Sequence, residues 1–254
     1  MHAGDSEPDI FFTPTPTRVI AEMLRLAEVG ADDVLYDPGC GDGRIVIAAA
    51  LECGARGVGI DIDLQLLREA ADAATAAGVG SRVEFRPGDL FAADLRPATV
   101  IALYLLDSLN VRLRPRIFAT CRPGTRVVSY SFEMGEWEAD AHTPIAANGV
   151  SLWIVPANAS GAWTFTGKPA GLKVETLHLT QRFQRLTGEA VIGGKTHAIL
   201  DGRVRGRGFT FTIDAGSEAL TISGMVDGDV MQSSDEQPAW QAHRSSGTRR
   251  SIEG

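Results

Sequence analysis

From residue 33 to residue 131, short apolar runs alternate with longer stretches whose apolar positions recur at helical spacing. After residue 161 that helical period stops. Runs at 34–37, 57–60, 82–86, 98–103 and 125–131 read as strands. Helical spacing covers 18–29, 45–51, 64–77 and a segment carrying Arg112, Arg114 and Arg116. Strands alternating with helices predict crossover units and a parallel sheet. Asn148-Gly149 ahead of the apolar run 150–155 is a hairpin signal, so the sheet is expected to end in an antiparallel edge. Beyond residue 161, glycine-bounded segments at 172–179, 181–186, 197–204, 208–213 and 219–226 alternate apolar and polar positions, as in an antiparallel sheet or small barrel. Gly202 with Gly206, and Gly224 with Gly228, read as bends and hairpin turns. The expected domains are an N-terminal segment and helix (1–30), an α/β domain (31–157), a β module (161–231) and a mostly flexible tail (232–254). Pro238-Ala-Trp240 could add a last strand to that tail.

The first strand ends in Asp37-Pro-Gly39-Cys-Gly41-Asp-Gly43-Arg44. Glycines at alternate positions let the chain turn sharply and approach a ligand without a Cβ in the way, and the following helix start would offer unpaired N–H groups. The second strand ends in Asp61, placed to accept from ribose hydroxyls. A nicotinamide dinucleotide site is the rival reading. Its fingerprint needs Gly or Ala where this chain has Arg44, a poor residue for close helix–strand contact. A third acid, Asp89, follows the third strand, and ligands of open α/β sheets bind beyond the strands' carboxyl ends.

The D-x-G-x-G-x-G form with Asp61 resembles the class I S-adenosyl-L-methionine-dependent methyltransferases. The resemblance implies a Rossmann-like seven-stranded sheet, mostly parallel with an antiparallel edge hairpin. It also implies cofactor contacts from Asp37, Gly39, Gly41, Gly43, Asp61, Ile62, Asp89 and Leu90, with Phe91 beside the adenine. The threonine-proline segment Thr13-Pro-Thr15-Pro-Thr17, the run Leu103-Tyr-Leu-Leu and Arg126-Val-Val-Ser-Tyr-Ser-Phe132 are similar to the branch of small bacterial and mitochondrial lysine N-methyltransferases. That likeness adds Thr15 to the cofactor contacts. It covers roughly residues 10 to 157, and Asp107 stands where many relatives carry Pro. The product would be S-adenosyl-L-homocysteine, and the acceptor an amine-bearing protein or a small molecule.

Residues after the fourth strand hold the nucleophile in that family, which makes Tyr104 and Asp107 the tentative catalytic candidates, with Asn110 behind them. Asp107 could equally cap the helix, and Tyr104 could be a core residue. A lysine acceptor must lose a proton, at a cost of roughly 4–5 kcal/mol at pH 7. Burial against Tyr104, Phe132 and Trp137 would offset part of that, whereas a carboxylate such as Asp107 or Glu133 would hold the cation. Thr17 is read as the first helix's N-cap, the arginine trio as a solvated face, and Cys40 as a space filler. Alternatives are a small-molecule O-, N- or C-methyltransferase with the β module closing over its substrate, and a binding module without turnover.

Composition narrows the rest. A net charge of −8 with the short basic run Arg203-Val-Arg205-Gly-Arg207 argues against a nucleic-acid partner. No apolar run approaches the roughly eighteen residues needed to span a membrane, and no signal peptide is expected from the opening residues. The three cysteines lack metal-ligand spacing and the five histidines do not cluster. No metal is expected, and the predicted compartment is the cytoplasm. The β module could also make a homodimer.

Overall fold

In the computed structural model, residues 13–145, 148–171, 173–214, 219–234 and 240–253 are described. Phe11, Phe12, Leu172 and Pro238 lie outside them. The chain divides into two compact units, Met1–Ile154 and Val155–Gly254.

The first unit runs α1 (Thr17–Leu26), β1 (Val34–Pro38), α2 (Arg44–Cys53), β2 (Arg56–Asp61), α3 (Leu64–Ala76), β3 (Val83–Pro87), β4 (Val100–Leu103), α4 (Asp107–Thr120), β5 (Arg126–Tyr130), β6 (Ala141–Ile145) and β7 (Asn148–Ile154). Its strands form one seven-stranded sheet in the order β3-β2-β1-β4-β5-β7-β6. Strands β1 to β5 are parallel, and β7 pairs antiparallel with both β5 and β6. This is the Rossmann-like sheet with an antiparallel edge that the sequence implied. All of β4 is buried, as a central strand covered on both faces must be. Helix α3 begins at Asp63, whose carboxylate accepts from the N–H groups of Gln65 and Leu66.

Three local expectations need correction. Thr17 does not cap α1: it is the first helical residue, Pro16 holds the cap position, and Ala27 closes the helix before residue 29. Asn148 and Gly149 are not the hairpin turn, since they open β7 opposite Ile145 and Pro144. Gly149 is needed there because a Cβ would come within 2.1 Å of the His142 ring. The arginine trio is a solvated face only in part, with Arg112 exposed and Arg114 and Arg116 half-buried. Arg112 lies 3.7 Å over the Phe91 ring, Arg114 donates to Met134 O, and Arg116 donates to the carbonyls of Ala92 and Ala93. α4 thereby pins the two loops that border the sheet's carboxyl end.

The second unit is a closed antiparallel barrel of β8 (Gly161–Gly167), β9 (Val174–Arg182), β10 (Arg185–Ile192), β11 (Lys195–Arg205), β12 (Gly208–Asp214), β13 (Ala219–Asp227), β14 (Val230–Gln232) and β15 (Trp240–Arg244). Closure removes the exposed edges that an open sheet of this kind would present. Alternate residues point inward, and Trp163, Phe209, Phe211, Met231 and Trp240 fill the interior. The segment 181–186 read as one strand contains the hairpin turn at Phe183 and Gln184 instead. Gly206 and Gly228 do sit in turns with positive φ, whereas Gly202 and Gly224 lie within strands. A Cβ on those two would meet the Leu186 and Gln232 carbonyl oxygens at 2.5 and 2.2 Å.

The stretch expected to be mostly flexible supplies β15, which closes the barrel onto β8. The buried Arg244 guanidinium donates to Ser160 O and Asn158 O at 2.6 Å and to Gly228 O at 3.0 Å, and it stacks on Trp163. Ile252 O accepts from Phe183 N–H at 2.6 Å. These are partners far apart in sequence, which composition cannot reveal. Among the described residues, no helix is long and apolar enough to cross a membrane.

Replacing Arg244 by Leu strands those carbonyls. The expected loss is about 3 kcal/mol, read in urea unfolding as early exposure of β8 and β15 amides to hydrogen exchange. Protection equal to that of the unsubstituted protein would count against this role.

Candidate active site

The glycine turn joins β1 to α2 and lies at the carboxyl end of the sheet. Gly39, Gly41 and Gly43 have φ of 84°, 53° and 71°, a region where side chains other than glycine are strained. Gly43 is further constrained, because a Cβ would lie 2.5 Å from the Phe85 ring and 2.9 Å from Ala70. The close contact that the dinucleotide fingerprint assigns one residue later is made here at Gly43. Arg44 is thereby released for another task. It pairs with Asp42 at 2.6 Å and donates to Thr15 O at 3.1 Å, tethering the segment ahead of α1 beside the turn.

Several of the turn's own amides are already paired, while the start of α2 carries no side-chain cap, so the N–H groups of Ile45 and Val46 stay available as expected. Gly39 and Cys40 N–H donate to Ile60 O, Gly43 N–H donates to Cys40 O, and Arg44 N–H reaches Asp42. Gly41 N–H donates to Asp61 Oδ2 at 2.8 Å. Around Gly39, Cys40 and Gly41 the loop therefore offers mainly shape. Three carboxylates, Asp37, Asp42 and Asp61, surround it, and burial with the other two pushes Asp37 up to about 8. Such a site repels a pyrophosphate and favours a cationic ligand. Cys40 is buried, and burial next to Asp37 and Asp61 pushes its thiol well above the usual range, so it fills space.

Thr15, Asp37, Gly39 and Tyr104 line one cleft of about 160 Å³ together with Thr13, Leu106 and Phe132. Asp61, Ile62, Asp89 and Leu90 are not among its lining; they lie at or just past the ends of β2 and β3. Asp61 Oδ1 accepts from Asp63 N–H and Asp89 Oδ1 from Phe91 N–H, each fixing its loop. Carboxylate oxygens keep further lone pairs for a ligand. Leu90 faces the turn, 3.9 Å from where a Cβ of Gly39 would be.

On the acceptor side, Tyr104 packs on Tyr130 at 4.9 Å and on Phe132 at 6.0 Å. Burial pushes the Tyr104 hydroxyl up, so it stays protonated. Trp137 does not join this wall. It is buried against Phe118 and Trp153, and Tyr130, which sequence reasoning passed over as a strand residue, takes the place. Asp107 is not the helix cap either: Leu106 is, and Asp107 Oδ1 accepts from Glu133 N–H at 2.6 Å. Asn110 is fully buried and reaches Ser129 Oγ and the carbonyls of Phe132 and Glu133 at 3.3–3.4 Å. It supports the site from behind.

A family model described as the ANTKMT methyltransferase domain matches residues 37–141. A protein-lysine N-methyltransferase of Saccharolobus islandicus is 40% identical over 131 residues, which are 51% of this chain and 81% of that protein. The chain belongs to the class I S-adenosyl-L-methionine-dependent methyltransferases, in this family. The mouse adenine nucleotide translocase lysine N-methyltransferase is 31% identical over 148 residues, 57% of this chain and 62% of that protein. A crystal structure described as an RNA methyltransferase from Salinibacter ruber in complex with S-adenosyl-L-homocysteine is 53% identical. It covers 56% of this chain and 93% of its own, with a TM-score of 0.55. Each of these matches spans little more than half of the methyltransferase chain.

Asp37 ionises near 3.9 when unfolded and near 8 when folded, so the folded state binds the extra proton in between. Stability therefore falls as pH rises through that window. Asp37→Asn is expected to raise the melting temperature of the unliganded protein, with a gain that widens from about pH 5 to about pH 8.5 in thermal unfolding. A gain that does not depend on pH would rule out this ionisation.

Proposed function

We propose that this enzyme methylates an amine, the side chain of a lysine in a protein substrate, using the cofactor site at the glycine turn. The observation that carries the reading is the acceptor wall, in which aromatic Tyr104, Tyr130 and Phe132 stand with the acids Asp107 and Glu133. Aromatic faces and carboxylates suit a cation and its neutral amine, and they repel a phosphate backbone. The names of the Saccharolobus and mouse relatives support a lysine acceptor, while that of the Salinibacter relative points to RNA.

S-adenosyl-L-methionine supplies a methyl group on a positively charged sulfur. Asp61 and Ile62 would hold its ribose, Asp89 and Leu90 its adenine, and Asp37, Gly39 and Thr15 its amino-acid end. The three carboxylates around the turn suit the cofactor's ammonium and sulfonium charges. The aromatic wall lowers the cost of presenting a neutral amine, which in water at pH 7 is roughly 4–5 kcal/mol. The remaining contribution of the protein is alignment, since in-line displacement needs the lone pair, methyl carbon and sulfur in one line. Asp107 serves alignment by fixing the start of the Phe132–Glu133 segment.

Incubating the enzyme with methyl-labelled cofactor and separated protein, RNA and small-molecule fractions of a cell extract tests the reading. Label is expected in protein and, after acid hydrolysis, in methylated lysine; label confined to RNA or small molecules defeats it. Asp107→Ala should lower turnover about tenfold while S-adenosyl-L-homocysteine affinity, measured by calorimetry, stays within about twofold. Unchanged turnover would remove Asp107 from the acceptor site.

A further inference from the structure

The segment that leaves β5 is built at a cost that packing does not explain. Ser131 has φ of 67° although it is not glycine, and its buried hydroxyl finds no hydrogen-bond partner among the described residues. Strain of this kind persists where a neighbouring group must be aimed. The kink carries Phe132 into the cleft, and Glu133 follows it as an exposed residue. Glu133 is then held at three points. Its N–H is taken by Asp107, its carbonyl by Asn110 Nδ2, and its Oε1 accepts the Ser151 hydroxyl at 2.8 Å.

Ser151 is buried on β7, directly opposite His142 on β6, and its Oγ lies 2.9 Å from His142 Nδ1. A serine hydroxyl has one proton, and this one is given to Glu133. His142 must therefore donate through Nδ1–H. The ring lies against Gly149, where a Cβ would come within 2.1 Å of it. The chain from His142 through Ser151 to Glu133 thus starts at the sheet edge and ends at the acceptor side, and methyl transfer as described above makes no use of it.

We propose that Glu133 accepts the N–H of the acceptor amine, and that Ser151 and His142 are positioning residues that aim its carboxylate. The proposal rests on the lysine reading. The ammonium loses its proton to water on entering the cleft, and the neutral amine then donates one N–H to the Glu133 carboxylate. Its lone pair forms the new bond to the methyl carbon as the carbon–sulfur bond breaks and that pair goes to sulfur. The nitrogen gains positive charge as the sulfur loses it. A carboxylate already hydrogen-bonded to the nitrogen stabilises the transition state more than the neutral ground state.

Long-range proton–nitrogen spectra of the full 15N-labelled chain at pH 8 test the geometry without turnover. His142 is expected in the Nδ1–H form, and Ser151→Ala should release it to the Nε2–H form. An Nε2–H ring in the unsubstituted protein overturns the chain. Methyl-lysine formation at saturating cofactor, with extract protein as acceptor, tests the chemistry. Glu133→Gln should lower it about 100-fold and Ser151→Ala about tenfold, with S-adenosyl-L-homocysteine affinity within about twofold as proof of folding. Full rate in Glu133→Gln overturns the proposal alone, and full rate in Ser151→Ala removes the positioning role. No methyl-lysine from the unsubstituted protein defeats the lysine reading itself.

Discussion

Phe85 on β3 fills space that exists only because residues 43 and 59 are glycine. A Cβ on Gly43 would stand 2.5 Å from its ring and one on Gly59 2.7 Å from it, so the turn, β2 and β3 close on one another around this side chain. Everything at the carboxyl end of the sheet depends on that closure. It sets Asp61 within 2.8 Å of Gly41 N–H and frees Arg44 to reach Thr15 O. A single methyl group at either glycine would push the turn off the sheet and move the acids that surround it. Overpacking of a close contact is costly in any core, and here the displaced atoms would be those of the cofactor site.

The glycine turn and the acids around it were legible because their signals are local. Acids at strand ends, glycines at alternate positions and the offset of Arg44 can all be read from neighbours in the chain, and Thr15, Asp37 and Gly39 do share one cleft with Tyr104. The acceptor half was less legible because partners meet there only through strand register. Ser151 faces His142 through the pairing of β6 with β7, and Ser129 through that of β5 with β7. Nothing in residues 129, 142 and 151 taken separately marks them. Trp137 misled for the same reason, since an aromatic just beyond Phe132 can point to core or cleft, and only the packing of Phe118 and Trp153 decides. In the tail the last strand at Trp240 was legible, but Ser, Gln and Arg suggested a loose end around it, whereas Arg244 satisfies buried carbonyls that belong to β8 and its approach.

The polar groups that cost this sheet stability cluster where they bear on the reaction. Asn110, Ser129, Ser151 and Asp37 are all buried, while Val100 to Leu103 next to them are uniformly apolar. Burying a polar group is unfavourable unless it is paired, and Asn110 Oδ1 and Ser131 Oγ lack partners among the described residues. A core chosen for stability alone would place apolar residues at these positions. The two ends of the cleft differ in how they use the cost. On the cofactor side it is electrostatic, with burial and the neighbouring Asp61 and Asp42 pushing the Asp37 carboxyl up to about 8. On the acceptor side it is conformational, a left-handed serine and a buried amide that hold Phe132 and Glu133 in place. Both fit a reaction in which positive charge begins on sulfur and ends on nitrogen. The protein neither donates nor stores charge in that transfer, so fixed carboxylates at the two ends, aimed before the reactants meet, are the contribution left for it to make.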